Sequence, residues 1–367
     1  MMKMVFRWFG KGFDSTSLEY IRQIPGIHGV VTMLSNIPVG ETWPLEKIFT
    51  MKRMVEAYGL SMEVVESVNV HEDIKLGLPN RDQYISNYIA TLSNLGKAGV
   101  RVVCYNFMPL FDWIRTELSH ELEDGSKVLY YDGASLLGLD PATFAQRFNA
   151  GSNGYSLPGW EPERLSTLES QLDQYRNMTE EELWKNLEYF LKAIIPEAEH
   201  AGIKMAIHPD DPPWSVFGLL RIIRDEKSLE RVVGLVNSPS NGIALCSGAL
   251  GADEKNDIPS MIRRFGKMDR IPFAHVRNVM RLSAGQEQKI FYDAPHPSFM
   301  GSLDMYEIMR AYSEIDYEGY LRPDHGRMIW GENSRPGYGF YDRALGVTYL
   351  LGLWEALRKG KERYHDS

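Results

Sequence analysis

The stretch IKMAIHPDDPP, residues 203–213, has the pattern of a buried β-strand that ends at a potential metal ligand, His208. Three later stretches repeat this pattern: NGIALCSG at 241–248 ends at Cys246, IPFAHVRN at 271–278 at His275, and GYLRPDHGR at 319–327 at Asp324. Successive candidate ligands are 38, 29 and 49 positions apart, close to one strand-plus-helix unit each. Because parallel strands of a barrel bring their ends to one place, this spacing predicts a metal site built from four strand ends.

The four candidate ligands offer two imidazoles, a thiol and a carboxylate. Taken singly, a histidine at a strand end is more often a structural hydrogen-bonding residue, and a free cysteine is more often a small buried apolar one. Their joint occurrence at four successive strand ends favours a metal site, because the chain has only 9 histidines and 2 cysteines. Mixed nitrogen, sulfur and oxygen donors suit zinc or ferrous iron, and donor chemistry alone places zinc first.

The fold class follows from the rest of the chain. Four further apolar runs with strand character lie upstream, at 4–9, 29–34, 61–68 and 100–106. Helical patterns separate the runs: one at 43–58 with Pro44 in its first turn, one at 81–97, and one that opens with a capping box at Thr179. Eight strands alternating with helices predict an α/β fold, a single (β/α)8 TIM barrel over residues 1–367, rather than an open doubly wound sheet.

A long insertion, 109–177, follows the fourth predicted strand. It is rich in Gly, Ser, Asp, Tyr and Trp, and it shows no clear strand pattern. Loops after barrel strands lie on the catalytic face, so we expect this segment to shape or cover the site. The alternative is a surface excursion that only packs on the barrel.

Composition and charge limit which partners and which cellular compartment we expect for the protein. The formal net charge of −9 argues against nucleic acid or an anionic membrane as the main partner, although a local basic pocket could still bind a small anion. No apolar run approaches the roughly 20 residues that span a bilayer. The start, MMKMVFRWFGKGFDS, reads as a first strand rather than a signal peptide. Cys104 and Cys246 cannot form a disulfide framework, so we expect a cytoplasmic protein.

A second cluster of polar groups follows the last predicted strand, in RPDHGRMIWGENSRPGYGFYDRA at 322–344. His325 and Tyr338 are candidates for proton transfer. The alternative for Tyr338, which lies between two glycines, is a turn aromatic with no chemical role. Arg343, in the following helical pattern, is interpreted as a salt-bridged surface residue.

Candidates for substrate contact come from three places. Arg322 in the second cluster and Arg277 after the seventh strand offer guanidinium groups for a carboxylate, with Asn278 next to Arg277. The segment FDWIRTEL, 111–118, places Trp113 and Arg115 just after the fourth strand, where they could wall a polyol pocket. The alternative for that segment is an amphipathic helical turn with the tryptophan in the core.

At these residues the chain resembles the mannonate dehydratases, enzymes of hexuronate (glucuronate) catabolism that convert D-mannonate to 2-dehydro-3-deoxy-D-gluconate and water. The resemblance covers nearly the whole chain. It rests on RPDHGRMIWGE at 322–332, PGYGFYDRALG at 336–346, HVRNV at 275–279, GSLDMYEIM at 301–309, FDWIRTEL at 111–118 and WPLEKI from Trp43. FYDAPHPSFMG at 291–301 departs from the expected pattern, so the roles of Asp293 and His296 stay open.

The resemblance implies a hydro-lyase on a xylose-isomerase-like barrel and changes the expected ion from zinc to Mn2+ or Fe2+. It implies that the ion is held by the four strand-end residues His208, Cys246, His275 and Asp324. It also implies that His325 and Tyr338 handle protons. We further expect a homo-oligomer, a dimer or larger.

Two other functions remain open from the sequence. The nearer one is a metal-dependent sugar isomerase or epimerase on the same type of barrel, which would not form water. The other is a metal-stabilised scaffold without catalysis, which would lose stability rather than activity on chelation. Without the resemblance, the residues indicate only a metal-dependent lyase or isomerase of a small anion.

Overall fold

The computed structural model describes residues 2–139, 141–155, 168–282 and 289–365. Eight parallel strands form a closed barrel, in the order β1-β12-β9-β8-β7-β4-β3-β2. The barrel strands are β1 (Lys3–Arg7), β2 (Ile27–Thr32), β3 (Ser61–Glu66), β4 (Val102–Tyr105), β7 (Lys204–Ile207), β8 (Asn241–Cys246), β9 (Phe273–His275) and β12 (Tyr320–Arg322). They correspond to the eight predicted runs, and the predicted (β/α)8 fold class is confirmed.

The helices alternate with the barrel strands. They are Leu18–Ile21, Leu45–Glu56, Glu72–Leu76, Arg81–Lys97, Pro141–Ala150, Leu168–Arg176, Glu180–His200, Glu226–Leu235, Ser247–Gly251, Ile258–Lys267, Met305–Glu314 and Phe340–His365. The helix predicted at 81–97 has those bounds, and the predicted capping box joins Thr179 to Glu182. The helix predicted from 43 begins at Leu45, because Pro44 has extended backbone and serves as the N-cap. Among the helices described, none is both long and apolar enough to cross a membrane.

The register of the barrel strands places Cys246 and His275 at the same level along the barrel axis. Cys246 pairs with His275 between β8 and β9, and His275 pairs with Arg322 between β9 and β12. Below this level the barrel interior is filled by a separate apolar cluster that includes Val31, Val64 and Phe273. The carboxyl ends of the strands therefore carry polar groups above a packed apolar floor.

A second sheet extends from the carboxyl ends of the barrel strands. Four antiparallel strands form it in the order β10-β11-β6-β5. Its strands are β5 (Glu117–Glu121), β6 (Lys127–Asp132), β10 (Asn278–Arg281) and β11 (Ile290–Ala294). The expectation that 109–177 lacks strands is wrong, because β5 and β6 lie within it. β5 shows no apolar run, because Leu118 is its only buried residue. β6 contains a short apolar run at 128–131 that was not identified as a strand from the sequence.

Candidate functional site

Three of the four predicted metal ligands lie together at the ends of consecutive strands. The donor atoms of His208, Cys246 and His275 lie within 4.8 Å of one another. His208 follows β7, whereas Cys246 and His275 are the last residues of β8 and β9. Two imidazoles and a sulfur at this separation can converge on one metal ion.

The hydrogen bonds around these side chains leave donor atoms available to an ion. His208 Nδ1 lies 2.7 Å from the carbonyl oxygen of Pro209, so Nδ1–H donates there and Nε2 keeps its lone pair. Within the described part of the chain, neither ring nitrogen of His275 lies within normal hydrogen-bond geometry of a partner, although the side chain is fully buried. Nε2 lies 3.5 Å from Glu66 Oε2, and Nδ1 lies 3.7 Å from Asp324 Oδ1. Buried imidazole nitrogens normally have a partner, so the His275 ring fits a metal ligand.

Asp324, the fourth predicted ligand, lies at the edge of the same group. Its Oδ1 is 3.7 Å from His275 Nδ1, and its Oδ2 is 3.5 Å from Cys246 Sγ. The backbone of Asp324 has φ 61°, a left-handed conformation that aspartate tolerates better than most residues. His296 stabilises this corner, because its Nε2 lies 2.7 Å from the carbonyl oxygen of Pro323. His296 is thus buried behind the predicted ligand.

Asp324 stays ionised in this environment. Burial acts to raise its pKa, but Arg322 and the other nearby cations outweigh burial and hold the pKa well below its usual value. Arg322 Nη2 lies 2.6 Å from Oδ1, and Arg277 Nε lies 2.7 Å from Oδ2. A carboxylate that stays charged while buried is suited to bind a cation.

A second group of possible donors was not identified from the sequence. Glu66, Cys104 and His275 also have donor atoms within 4.8 Å of one another. Burial, followed by the charge of Glu66, raises the pKa of the Cys104 thiol well above its usual value, which makes Cys104 a poor ligand. Glu66 forms a 3.0 Å ion pair with Arg322. The first group is therefore the better metal site; Glu66, the last residue of β3, could have been found by the strand-end rule.

His325 and Tyr338, the predicted proton carriers, lie next to each other beside this site. Their ring centroids are 5.1 Å apart, and both side chains line the same cavity as His208 and Asp324. His325 Nδ1 lies 2.6 Å from Asp293 Oδ2. Burial raises the pKa of Tyr338 to about 12, so its phenol keeps the proton at neutral pH. The sequence left the role of Asp293 open, and the structure places this residue against His325.

Arg115 and Arg277 form a buried ion network with three aspartates. Arg277 reaches Asp211 at 2.6 Å, Asp293 at 2.7 Å and Asp324 at 2.7 Å through its three nitrogens. Arg115 reaches Asp211 at 2.7 Å and Asp293 at 3.0 Å. Both arginines are fully buried. The network therefore joins Asp293, which contacts His325, to the predicted metal ligand Asp324.

The predicted substrate-binding residues divide into two groups. Trp113 and Arg322 line the cavity with His325 and Tyr338. Arg115, Arg277 and Asn278 do not appear among the described residues of its wall. The side chain of Asn278 instead stabilises loops, because Oδ1 accepts hydrogen bonds from the Val279 and Leu303 amides and Nδ2 donates to the Pro297 carbonyl.

Arg343 supports Tyr338 from behind. It is 1% exposed and donates hydrogen bonds to the carbonyl oxygens of Arg7, Tyr338 and Gly339. The interpretation of Arg343 as a surface residue is wrong, because the turn before its helix leaves carbonyl groups that need a buried donor. Arg343 thereby ties the turn that carries Tyr338 to the end of β1.

Comparisons with known proteins agree with this arrangement. The family model of D-mannonate dehydratase (UxuA) matches residues 2–364. Mannonate dehydratase from Thermotoga neapolitana is 59% identical over 363 residues, which cover 99% of this chain and 100% of the relative. The crystal structure of mannonate dehydratase from Streptococcus suis serotype 2 superposes with a TM-score of 0.88 at 47% identity, covering 98% of this chain and 96% of that one.

More distant structures share the fold alone. The 3-keto-D-glucoside 4-epimerase of E. coli superposes with a TM-score of 0.54 at 12% identity, covering 96% of this chain and 100% of that one. At this level of identity the likeness supports the barrel and carries no information about the reaction.

Proposed function

Because this chain belongs to the D-mannonate dehydratase family, and is thus a hydro-lyase that converts D-mannonate to 2-dehydro-3-deoxy-D-gluconate and water, we propose that the strand-end ligands and the His325–Tyr338 pair form its active site. The observation that carries this proposal is the convergence of His208, Cys246 and His275 within 4.8 Å, with neither His275 nitrogen hydrogen-bonded to a described residue. The family model and the full-length relatives favour this reaction over the isomerase or epimerase alternative.

We propose that His208, Cys246, His275 and Asp324 hold a divalent ion, Mn2+ or Fe2+. Two imidazoles, a thiolate and a carboxylate suit ferrous iron, and the family resemblance favours manganese or iron over zinc. When bound, such an ion would supply Lewis-acid stabilisation of the negative charge that develops on the substrate when the C2 proton leaves. The negative charges of the Cys246 thiolate and of Asp324 would balance the two positive charges of the ion.

The contacts of His325 favour it as the base that removes the C2 proton. Nδ1–H donates to Asp293, so the lone pair is on Nε2, the other ring nitrogen. Asp293 also stays charged: burial acts to raise its pKa, but Arg115 and Arg277 outweigh burial and lower it. A fixed carboxylate behind the imidazole orients the ring and stabilises the imidazolium that proton transfer creates.

Tyr338 suits the opposite role. The C3 hydroxyl is a poor leaving group unless it receives a proton as its bond to carbon breaks. A phenol with a pKa of about 12 remains protonated at neutral pH and can supply that proton. Arg343 holds the carbonyl of Tyr338 at 2.9 Å, which fixes the turn that presents the phenol.

The role of Asp293 can be tested by replacement with asparagine. We expect Asp293→Asn to lower kcat about a hundredfold with little change in KM, because the amide no longer stabilises a charged imidazole. We also expect a stability loss of about 3 kcal/mol, because two buried guanidinium groups lose a counter-charge. Steady-state kinetics and urea unfolding measure the two effects.

Asp211→Asn is the matched control for Asp293→Asn. Asp211 pairs with the same two arginines, whereas no hydrogen bond or ion pair joins it to His325 among the described residues. A similar stability loss with a kcat at least about tenfold higher than that of Asp293→Asn is expected. Equal kcat values in the two variants would assign Asp293 to the ion network alone.

The reaction itself is tested by its product. Incubation of the purified protein with D-mannonate is expected to give a 2-keto-3-deoxy acid and no isomerised sugar. An epimer or a ketose as the only product would instead support the isomerase alternative. Metal analysis of the same sample identifies the ion.

We also propose a homo-oligomer, a dimer or larger, that works in the cytoplasm. Exposed aromatic side chains support the oligomer: Phe299 is 84% and Trp330 is 74% exposed, and the Trp330 ring lies 5.6 Å from that of Tyr341. Two buried free thiols, Cys104 and Cys246, support a reducing compartment. Light scattering of the purified protein measures the number of subunits.

A further inference from the structure

Arg7, the last residue of β1, is a buried cation without a matching anion. It is 3% exposed, lines the same cavity as His325, and was not identified from the sequence. Its Nη1 donates to the carbonyl oxygen of Val31 at 3.3 Å. No carboxylate of the described residues forms an ion pair with it. The guanidinium instead lies 4.1 Å from the centre of the Phe9 ring.

The other arginines of the site are paired more completely. Arg277 contacts three carboxylates and Arg115 contacts two. Arg322 is intermediate: Nη2 contacts Glu66 at 3.0 Å and Asp324 at 2.6 Å, whereas Nε and Nη1 are buried without a hydrogen-bond partner among the described residues. Arg115 Nε also lacks a hydrogen-bond partner among the described residues, but Arg7 and Arg322 are the arginines with unused donors that line the cavity.

Arg7 and Arg322 are also close to each other. They end neighbouring barrel strands, β1 and β12, and the charge of Arg322 acts to lower the pKa of Arg7. Burial is the larger cause that lowers the pKa of Arg7, and the charge of Glu66 opposes it only in part. Two neighbouring buried cations with unused donors are costly unless an anion binds between them.

We propose that Arg7, acting with Arg322, binds the carboxylate group of the sugar acid and makes the site selective for an acid over a neutral polyol. The inference rests on the active site proposed above, because it places substrate in the cavity lined by His325 and Tyr338. Two guanidinium groups can offer a carboxylate several charge-assisted hydrogen bonds.

The surroundings of Arg7 keep it in place for this role. Arg343 Nη1 donates to the Arg7 carbonyl at 3.0 Å, which fixes the end of β1. Phe9 supports the guanidinium from one side, and the same ring is packed against Tyr338, with centroids 4.7 Å apart. Arg7, the proposed carboxylate-binding residue, and Tyr338, the proposed acid, are thus both held in place by Phe9 and Arg343.

Arg7→Met tests the proposal. We expect its KM for D-mannonate and its Ki for D-gluconate, an anionic competitor, to rise about tenfold to a hundredfold. Inhibition by D-mannitol, the neutral polyol, is expected to stay within about threefold of wild type. Without ligand, the melting temperature should be unchanged or higher, because an unmatched buried cation has been removed.

Two further variants control for structural damage. Arg7→Lys keeps the charge and is expected to recover part of the affinity for D-gluconate. Arg270→Met removes a buried arginine at the start of β9, at the other end of the barrel, whose partners are Asn237 and the Asn241 carbonyl, and it should leave both inhibition constants unchanged.

The outcomes separate the inference from the active-site proposal. A Ki for D-gluconate within about threefold of wild type in Arg7→Met, with wild-type metal content, would overturn the role of Arg7 and leave the metal site and proton carriers untouched. A loss of thermal stability with parallel weakening of D-mannitol and D-gluconate would also overturn it, by showing a structural role.

Discussion

Removal of the metal ion by a chelator is expected to lower kcat for D-mannonate at least about a thousandfold, because a bound cation contributes several kcal/mol of charge stabilisation in such reactions. Re-addition of Mn2+ or Fe2+ should restore activity. The ligands lie at the ends of β7, β8 and β9, above an apolar barrel interior that is packed without them. We therefore expect the fold to survive chelation.

The control for chelation is far-ultraviolet circular dichroism of the metal-free protein. An unchanged helical signal with lost activity fits a catalytic ion. Unfolding of the metal-free protein, with activity that does not return on adding either ion, would instead indicate the structural metal of a scaffold.

Replacement of His325 by asparagine is expected to lower kcat about a hundredfold to ten-thousandfold, the range for a lost general base. Tyr338→Phe should show a loss in the same range, because it removes the phenolic proton and keeps the ring that packs against Phe9. Neither residue is a proposed ligand, so metal content should remain at the wild-type value. Steady-state kinetics and metal analysis of both variants measure the two quantities.

The double variant of His325→Asn and Tyr338→Phe shows whether the two residues act together or independently. If both residues act in one proton-transfer sequence, the double variant should be little slower than the slower single variant. Wild-type turnover in either single variant would remove that residue from the reaction.

The barrel could be predicted because each of its strands is a short buried run between turns. The strand-end ligands could be predicted for the same reason: a polar donor directly after a buried apolar run can be recognised from the sequence alone. The register Cys246–His275–Arg322 then follows from the parallel order of β8, β9 and β12. At these positions, the local sequence pattern and the barrel geometry both predict that the side chains lie close together.

The outer sheet could not be predicted, because its two strand pairs, β5 with β6 and β10 with β11, come from distant parts of the chain, and β5 has a single buried residue. Asp293 illustrates the consequence. Its partners Arg115, Arg277 and His325 are brought to it only when β11 pairs with β6 and β10. A buried ion network of this kind has no spacing rule in the sequence.

Arg7 and Arg343 were missed or misread for a related reason. Long basic side chains are usually exposed, so a charged residue at a strand end or in an amphipathic helix is first interpreted as solvated. Here Arg343 is buried because it donates hydrogen bonds to nearby carbonyl groups, and Arg7 is buried because its side chain lies in the wall of the cavity. Only the packing of β1 against the last helix distinguishes them from surface residues.

A metal ion held by the strand-end residues is the central feature of the proposed active site, and the two cysteines provide its most direct test. Both are buried, and both have sulfur atoms within 4.8 Å of a His275 ring nitrogen, but only Cys246 belongs to the proposed ligand set. Metal content per subunit, measured in Cys246→Ser and Cys104→Ser after identical purification, is the decisive measurement. We expect Cys246→Ser to lose the metal and Cys104→Ser to keep it together with activity within about threefold of wild type. Full metal occupancy in Cys246→Ser, or loss of the metal only in Cys104→Ser, would contradict the proposed centre.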